Sequence, residues 1–435
     1  MKYYSTSNTE LSYGLKEALL RGLAPDRGLF MPCSIPVLTR AKLSAIREMN
    51  LTEIAVEISE RLFGEDIPGP ELKALVEEAV NFDTPLVEVE EGIHSLELFH
   101  GPTLAFKDVG ARFLSRMLGY FTRDLDREVH ILVATSGDTG SAVANGFLGV
   151  PGIKVHVLYP SKLVTPLQEK QFTTLGGNIS ALEVEGTFDD CQRLVKEAFM
   201  DAELSTQMTL SSANSINLAR FLPQAFYYFR AWGQIAPGDQ KELFFSVPSG
   251  NYGNMTAGLI AREMGLPVQT FLSANNINDV VPSYLLTGKY KPRPSQATIA
   301  NAMDVGDPSN FVRILDLFKN RHEWISEHMK GYSYSDHEIK QVIKKVYDNN
   351  GYLCDPHGAI GYQAAKSYLK EKPDSTGIFL ETAHPAKFKE SVEEVIGKKV
   401  DIPERLAAFA HKEKQSKMMK PDYAEFREYL RSQSS

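Results

Sequence analysis

An α/β fold built on doubly wound, mostly parallel sheets in two domains is predicted by two observations. Short β-rich runs alternate with helical stretches through most of the chain, and several of those runs end in polar, glycine-bearing loops. The runs are EVHILVATS, IKVHVLYP, NISALEVEG, LFFSVPSG, PVQTFLSAN and GIFLETAHP. In sheets of this kind ligands lie outside the carboxyl ends of the strands, so these loops are where chemistry is expected. Before them, the text from Leu15 to about Val87 reads mainly as helices, for example ELKALVEEAVNF, broken at Gly22 to Pro25 and at Pro68 to Pro70. No internal repeat, low-complexity tract or Gly/Ser linker marks a boundary, so the division rests on pattern: a mainly helical N-terminal region over 1–95, an α/β region over 96–240 and a second over 241–435.

Composition removes several function classes. The 435 residues are 43% apolar and 23% charged, enough to bury a large core. A net charge of −8 gives no basic field for nucleic acid or an anionic membrane surface, and no segment approaches the roughly 18 apolar residues of a membrane span. Cys33, Cys191 and Cys354 are odd in number and lack metal-ligand spacing, which argues against a disulfide framework or a zinc site. The polar opening MKYYSTSNTELSYG has no signal-peptide pattern, and the expected location is cytoplasmic.

Four loops carry the candidate chemistry. In HGPTLAFKD, residues 100–108, Lys107 follows a Gly-Pro turn and falls where apolar Val109, Phe113, Leu114, Met117 and Leu118 begin a helical pattern. The helix dipole does not favour a cation there, although a snorkelling surface lysine would also satisfy the pattern. ATSGDTGSAVANGF passes from strand to helix through Ser136, Gly137, Asp138 and Thr139, leaving amides that suit an anion or a simple capping side chain. VPSGNYGNMTAGL also opens a helix, with Gly250, Asn251, Gly253 and Asn254 able to wrap amides around a phosphate. It lacks the Lys-Ser/Thr of a P-loop and the spacing of a dinucleotide fingerprint. SSANSINLAR offers Asn214, Ser215, Asn217 and Arg220 as a second anion clasp or as ordinary capping residues. In ETAHPAKF, His384 beside Thr382 is open between a core group and a base. Two anion sites and one placed lysine point to a phosphorylated aldehyde cofactor: a lysine forms a Schiff base with pyridoxal 5′-phosphate (PLP), which then stabilises a carbanion.

HGPTLAFKD, ATSGDTG, YPSKLVTPLQEKQFTTLGGNI, SANSIN, VPSGNYGN, NAMDVGDPSNF and TAHPAKFKESV, with the opening YYSTSN and GLAPDRGLFMP, occur in an order that resembles the bacterial and fungal branch of the threonine synthase family. That family lies within the fold-type II PLP enzymes, which have the tryptophan synthase β-like fold, and the resemblance runs nearly the length of the chain. It implies that Lys107 binds PLP covalently and moves protons, with Phe106 beside the ring. It implies that Gly250, Asn251, Tyr252, Gly253 and Asn254 hold the cofactor phosphate and that Thr382 meets the pyridine nitrogen. Ser136, Gly137 and Thr139 would take the substrate carboxylate. Asp138 stands where many relatives carry an asparagine that reaches the cofactor's 3′ oxygen, and an ionised aspartate cannot donate to that oxygen. Asn214, Ser215 and Arg220 would hold the substrate phosphate, with Lys162 and Thr139 as further candidates. The implied reaction turns O-phospho-L-homoserine and water into L-threonine and phosphate, the last step of threonine biosynthesis, with no metal. The competing reading is another fold-type II lyase such as a serine/threonine dehydratase, which needs no substrate-phosphate site.

Overall fold

The computed structural model describes residues 1–236 and 242–433, so the expected boundary at 240/241 lies outside the described residues. The chain forms two compact units, each assembled from separated segments. Unit 1 comprises Met1, 31–106 and 221–401, and unit 2 comprises 2–30, 107–220 and 402–435. The expected division was three consecutive stretches. The difference arises because neighbouring parallel strands need crossover connections, so strands that pair come from distant parts of the chain.

In the N-terminal part the helices Leu15–Arg21, Arg40–Ile46, Leu51–Phe63 and Gly69–Ala79 form as the periodicity predicts. Helix Leu51–Phe63 starts with a full capping box, Asn50 accepting from Glu53 N and the Glu53 side chain accepting from Asn50 N. Short strands accompany these helices: β1 (Tyr3–Ser5), β2 (Asn8–Tyr13), β3 (Phe30–Pro32), and the hairpin β4 (Leu86–Glu90) and β5 (Ile93–Glu97). The first ninety-odd residues therefore do not stand apart as a helical region: 31–97 belongs to unit 1 and 2–30 to unit 2.

The sheet of unit 2 contains β6 (Val129–Ala134), β7 (Ile153–Pro160), β8 (Ile179–Val184), β9 (Thr209–Ser212) and β14 (Lys417–Met419) in the order β14–β8–β7–β6–β9, with every pairing parallel. The sheet of unit 1 contains β4, β5, β10 (Glu242–Pro248), β11 (Thr270–Asn275), β12 (Met329–Ser333) and β13 (Ser375–Glu381) in the order β12–β11–β10–β13–β5–β4, parallel except for the β4–β5 hairpin. β6 (VHILVA) and β11 (TFLSAN) are buried at every position, as expected of strands in a parallel sheet covered on both faces, and their polar side chains are buried with the rest. Helix Pro356–Glu371 packs on β10 and β13, and helices Asp138–Phe147 and Phe188–Met200 pack on β6 and β7.

The two units share one winding. In unit 2 the chain runs from β6 outward to β7 and β8, then returns to place β9 on the other side of β6; in unit 1 it runs from β10 to β11 and β12 and returns with β13 beside β10. Each sheet therefore has a switch point, β6/β9 in one and β10/β13 in the other. A crevice opens there because consecutive connections leave in opposite directions.

Candidate active site

Every candidate from the sequence lies just beyond the carboxyl end of a strand at, or next to, one of these switch points. In unit 1 the relevant neighbours are β10, β13 and β5. Residues 249–254 follow β10, Thr382 to His384 follow β13, and the segment that leads to Lys107 follows β5. The last two segments are laced together: Phe106 N donates to Thr382 O (2.8 Å), His384 N donates to Leu104 O (3.0 Å), and Ala105 and Ala383 form an antiparallel bridge. Leu104 is buried at φ +56°, an unfavourable conformation for a γ-branched residue that the surrounding ladder enforces. Phe106 and Lys107 are half-buried, and helix Lys107–Thr122 begins at the lysine. His384, open between core group and base, accepts from Ala386 N and caps the turn Pro385–Phe388, while burial pushes its pKa down.

The loop after β10 leaves the start of the next helix, Gly253–Glu263, without a side-chain cap, and the N-cap Tyr252 sits at φ +61°. That conformation is held from below: the Tyr252 hydroxyl meets Ser273 Oγ (2.6 Å) and donates to Asn275 Oδ1 (2.9 Å), while Asn275 Nδ2 donates to Ser249 O. Asn251 accepts from Asn310 N on its carbonyl and from Ser309 N on its side chain. A Cβ on Gly250 would lie 2.6 Å from Ala302 O, so only glycine lets the two backbones meet. Asn254 supplies the sharpest observation. Its Oδ1 accepts from both Tyr227 and Tyr228 hydroxyls at 2.7 Å, which orients the amide group, and its Nδ2 is buried with no partner among the described residues. Burial raises the pKa of both tyrosines well above the usual range, so they remain donors. An oriented, unsatisfied donor beside uncapped helix amides fits a bound phosphate, so the residues present suit PLP.

In unit 2 the neighbours are β9, β6 and β7. The Thr135 hydroxyl accepts from Gly137 N (2.9 Å) and Gly140 N (2.7 Å), closing the turn after β6. Gly137 has φ +137°, and helix Asp138–Phe147 starts with no side-chain cap. Asp138 is buried, and Gln168 Nε2 donates to its Oδ1 (2.8 Å); the Gln168 Oε1 accepts from the Thr165 hydroxyl, which fixes the orientation of the amide. Ser136 and Thr139 are half-buried. After β9, Asn214 Nδ2 donates to Ala134 O (3.0 Å), tying the β9 loop to the end of β6, and Ser215 is half-buried. Asn217 is spent structurally, its amide donating to Leu19 O and Ser212 O. Arg220 is only 4% exposed and Nη1 donates to Lys107 O (3.1 Å). Burial lowers its pKa to about 10 against the opposing pull of Asp108, and it stays cationic at neutral pH. Lys162, beyond β7, is exposed at φ +63°.

Sequence reasoning missed the side chains that support these loops: Thr135, Gln168, Tyr227 and Tyr228, with Asp355, which accepts from Ala383 N, His357, which accepts from Ala302 N, and Glu381, which accepts from Asp355 N. A paired tyrosine inside the apolar run AFYYFRAW was a readable signal, since buried hydroxyls need partners. Asp355 precedes a proline and reads only as a helix cap.

Three family models match the chain: "Pyridoxal-phosphate dependent enzyme" over residues 79–380, "Threonine synthase N terminus" over 2–80 and "Threonine synthase, C-terminal" over 358–430. The threonine synthase of Haemophilus influenzae is 45% identical over 430 residues, covering 99% of both chains. Among solved structures, threonine synthase from Escherichia coli superposes with a TM-score of 0.93 at 41% identity, covering 99% of this chain and 100% of that one. PLP-bound threonine synthase from Brucella melitensis also gives 0.93, at 34% identity over 100% and 99% of the two chains.

Proposed function

This chain belongs to the threonine synthase family of pyridoxal-phosphate-dependent enzymes, and from that premise we propose a role for each loop in converting O-phospho-L-homoserine and water to L-threonine and phosphate. The reading is carried by one observation: the phosphate loop, Thr382 and the segment that ends at Lys107 follow the carboxyl ends of three adjacent strands, β10, β13 and β5.

When bound, PLP supplies the electron sink that makes protons of the amino-acid substrate removable. Lys107 anchors it. The uncapped amides from Gly250 to Asn254, with the Asn254 amide, would hold its phosphate, and the Thr382 hydroxyl would serve its ring nitrogen. The reaction requires protons to leave Cα and Cβ, phosphate to leave Cγ and water to add at Cβ. The Lys107 amine, at the end of a flexible stem, carries protons between these atoms, for which one movable base suits better than a fixed pair. Ser136, Gly137 and Thr139 bind the α-carboxylate at the start of helix Asp138–Phe147. Arg220 supplies positive charge for the departing phosphate, with Asn214 and Ser215 beside it and Lys162 and Thr139 as further contacts. Asp138 already accepts from Gln168, so its role is to fix the turn and to accept from, not donate to, whatever approaches it.

The small-molecule substrate is the partner of this reading. Cytoplasmic residence goes with it, supported by the free state of Cys33, Cys191 and Cys354. The test is to supply O-phospho-L-homoserine to PLP-loaded protein and measure threonine and phosphate together. Equal amounts of both are expected. Release of ammonia from serine or threonine without turnover of the phosphorylated substrate would favour the dehydratase reading.

A further inference from the structure

Helix Pro356–Glu371 is covered at its start by a buried cluster that the reaction does not use: Asp355, His357 and Glu381, all within unit 1. Asp355 is the N-cap, but its contacts exceed capping. Oδ1 accepts from His357 N (2.7 Å) and from His357 Nδ1 (2.5 Å), while Oδ2 accepts from Ala383 N (3.4 Å). The far side of the imidazole is also used, because Ala302 N donates to His357 Nε2 (3.3 Å). Nε2 is therefore the acceptor and Nδ1 carries the proton given to Asp355, which fixes one tautomer. Glu381 closes the cluster by accepting from Asp355 N (2.6 Å). Burial and the adjacent Asp355 hold its pKa well above the usual carboxyl range, which keeps a second charge out of this space. Gly358 leaves room for it, since a Cβ there would fall 1.7 Å from Glu381 Oε2.

The two ends of this dyad reach the two halves of the cofactor cradle. Ala383 follows Thr382 and bridges to Ala105, two residues before Lys107. Ala302, at the start of the motif NAMDVGDPSNF whose Ser309 and Asn310 bind Asn251, backs Gly250 of the phosphate loop, where the backbones meet too closely for any Cβ. We propose that Asp355 and His357 are positioning residues that lock the Thr382 turn and the phosphate loop into one cradle, through Ala383 on one side and Ala302 on the other. The inference rests on reading these loops as the PLP cradle, and it adds two residues outside those that reading assigns to cofactor or substrate.

Asparagine and glutamine separate the two functions of the imidazole. His357→Asn keeps a donor near Nδ1 for Asp355 but has nothing to accept from Ala302. His357→Gln reaches the Nε2 position and offers an acceptor there. Asp355→Asn keeps an acceptor for the helix cap but presents N–H in place of the oxygen that faces Ala383 N. The measurements are hydrogen–deuterium exchange of cofactor-free protein and the phosphorus resonance of bound PLP in the loaded enzyme. His357→Asn should speed exchange around residues 300–304 by about fivefold or more, the effect of one lost hydrogen bond, and shift the phosphorus resonance, while His357→Gln stays within about twofold of the parent. Asp355→Asn should speed exchange around 382–384 with the helix 356–371 still protected. Equal behaviour of the Asn and Gln variants, or no change in any of the three, would overturn the tie. A parent protein that binds PLP without immobilising its phosphorus signal would instead overturn the cradle reading, a result distinct from unchanged variants in a normal parent.

Discussion

Unit 1 and unit 2 wind their sheets in the same order and place their candidate residues at the same topological point, yet they hold those residues differently. In unit 1 each loop at the switch point is tied to another by buried backbone bonds: Phe106 to Thr382, His384 to Leu104, Asn310 to Asn251. In unit 2 the ties are made mostly by side chains, as in Thr135 to Gly137 and Gly140, Gln168 to Asp138, and Asn214 to Ala134. Four of its substrate candidates, Ser136, Thr139, Asn214 and Ser215, are half-buried, and Lys162 is exposed. The difference matches the tenants proposed for them. A cofactor held through a covalent lysine stays and rewards a rigid, pre-formed bed, whereas a substrate must enter and its products leave at every turnover.

Substitutions in the two units should therefore fail in different ways. The largest effect is expected from Lys107→Ala, which removes the proposed anchor and proton carrier together: threonine formation should fall by at least about a thousandfold, with the absorption band of covalently held PLP gone. Near-normal turnover in that variant would break the whole comparison. Gly250→Ala pushes a methyl into Ala302 O and should weaken PLP binding by at least about tenfold in a fluorescence titration, leaving substrate selectivity untouched once cofactor is saturating. Arg220→Ala is the counterpart in unit 2. It should lower kcat/KM for O-phospho-L-homoserine by at least roughly tenfold while PLP binding persists. Parallel loss of PLP would show that the bond from Arg220 to Lys107 O matters more than the substrate phosphate, and would move Arg220 to the cofactor half. A smaller loss, about three- to tenfold in kcat, is expected from Thr382→Val, which deletes one neutral hydroxyl and keeps the shape.

The smallest effect concerns stability and belongs to unit 2 alone. His130 Nδ1 and His156 Nε2 meet at 3.0 Å under Tyr429, and burial pushes their pKa values down to about 4 and about 3. Both are neutral when folded, whereas the unfolded chain takes up protons near pH 6.5. Stability is thus fully present above that pH and is lost as pH falls toward 4, by at most roughly 1.4 kcal/mol per pH unit for each histidine. His130→Gln should flatten the decline between pH 6.5 and 4.5 in urea melts; an unchanged slope would remove the pair from the acid sensitivity.

Much of this was legible in the sequence. The six β-rich runs each cover all or most of one of β6, β7, β8, β10, β11 and β13, because strands covered on both faces concentrate apolar and β-branched side chains. β9 (TLSS) and β12 (MKGYS) were missed: they are short and polar and lie at or near sheet edges, where no continuous apolar text is required. Glycine loops at strand ends announced themselves through residue type. The supports did not, since what Asp355 and His357 touch is set by a fold that brings residues 302 and 383 to them. Nor did the interleaving of the two units, because sheet order depends on crossovers that leave no local trace in composition.

The position of β13 has a consequence for the order of events during synthesis. It is the last strand of its sheet to leave the ribosome and the one that lies between β10 and β5, pairing with both. When it emerges, β6 to β9 have already left the ribosome, whereas β14 of the other sheet is still to come. Until then β5 and β10 share no neighbour and the Thr382 turn does not exist. The nascent chain thus carries Lys107, the lysine proposed to hold PLP, for most of translation before the Thr382 turn exists, so on that reading cofactor capture is a late step that follows the insertion of β13.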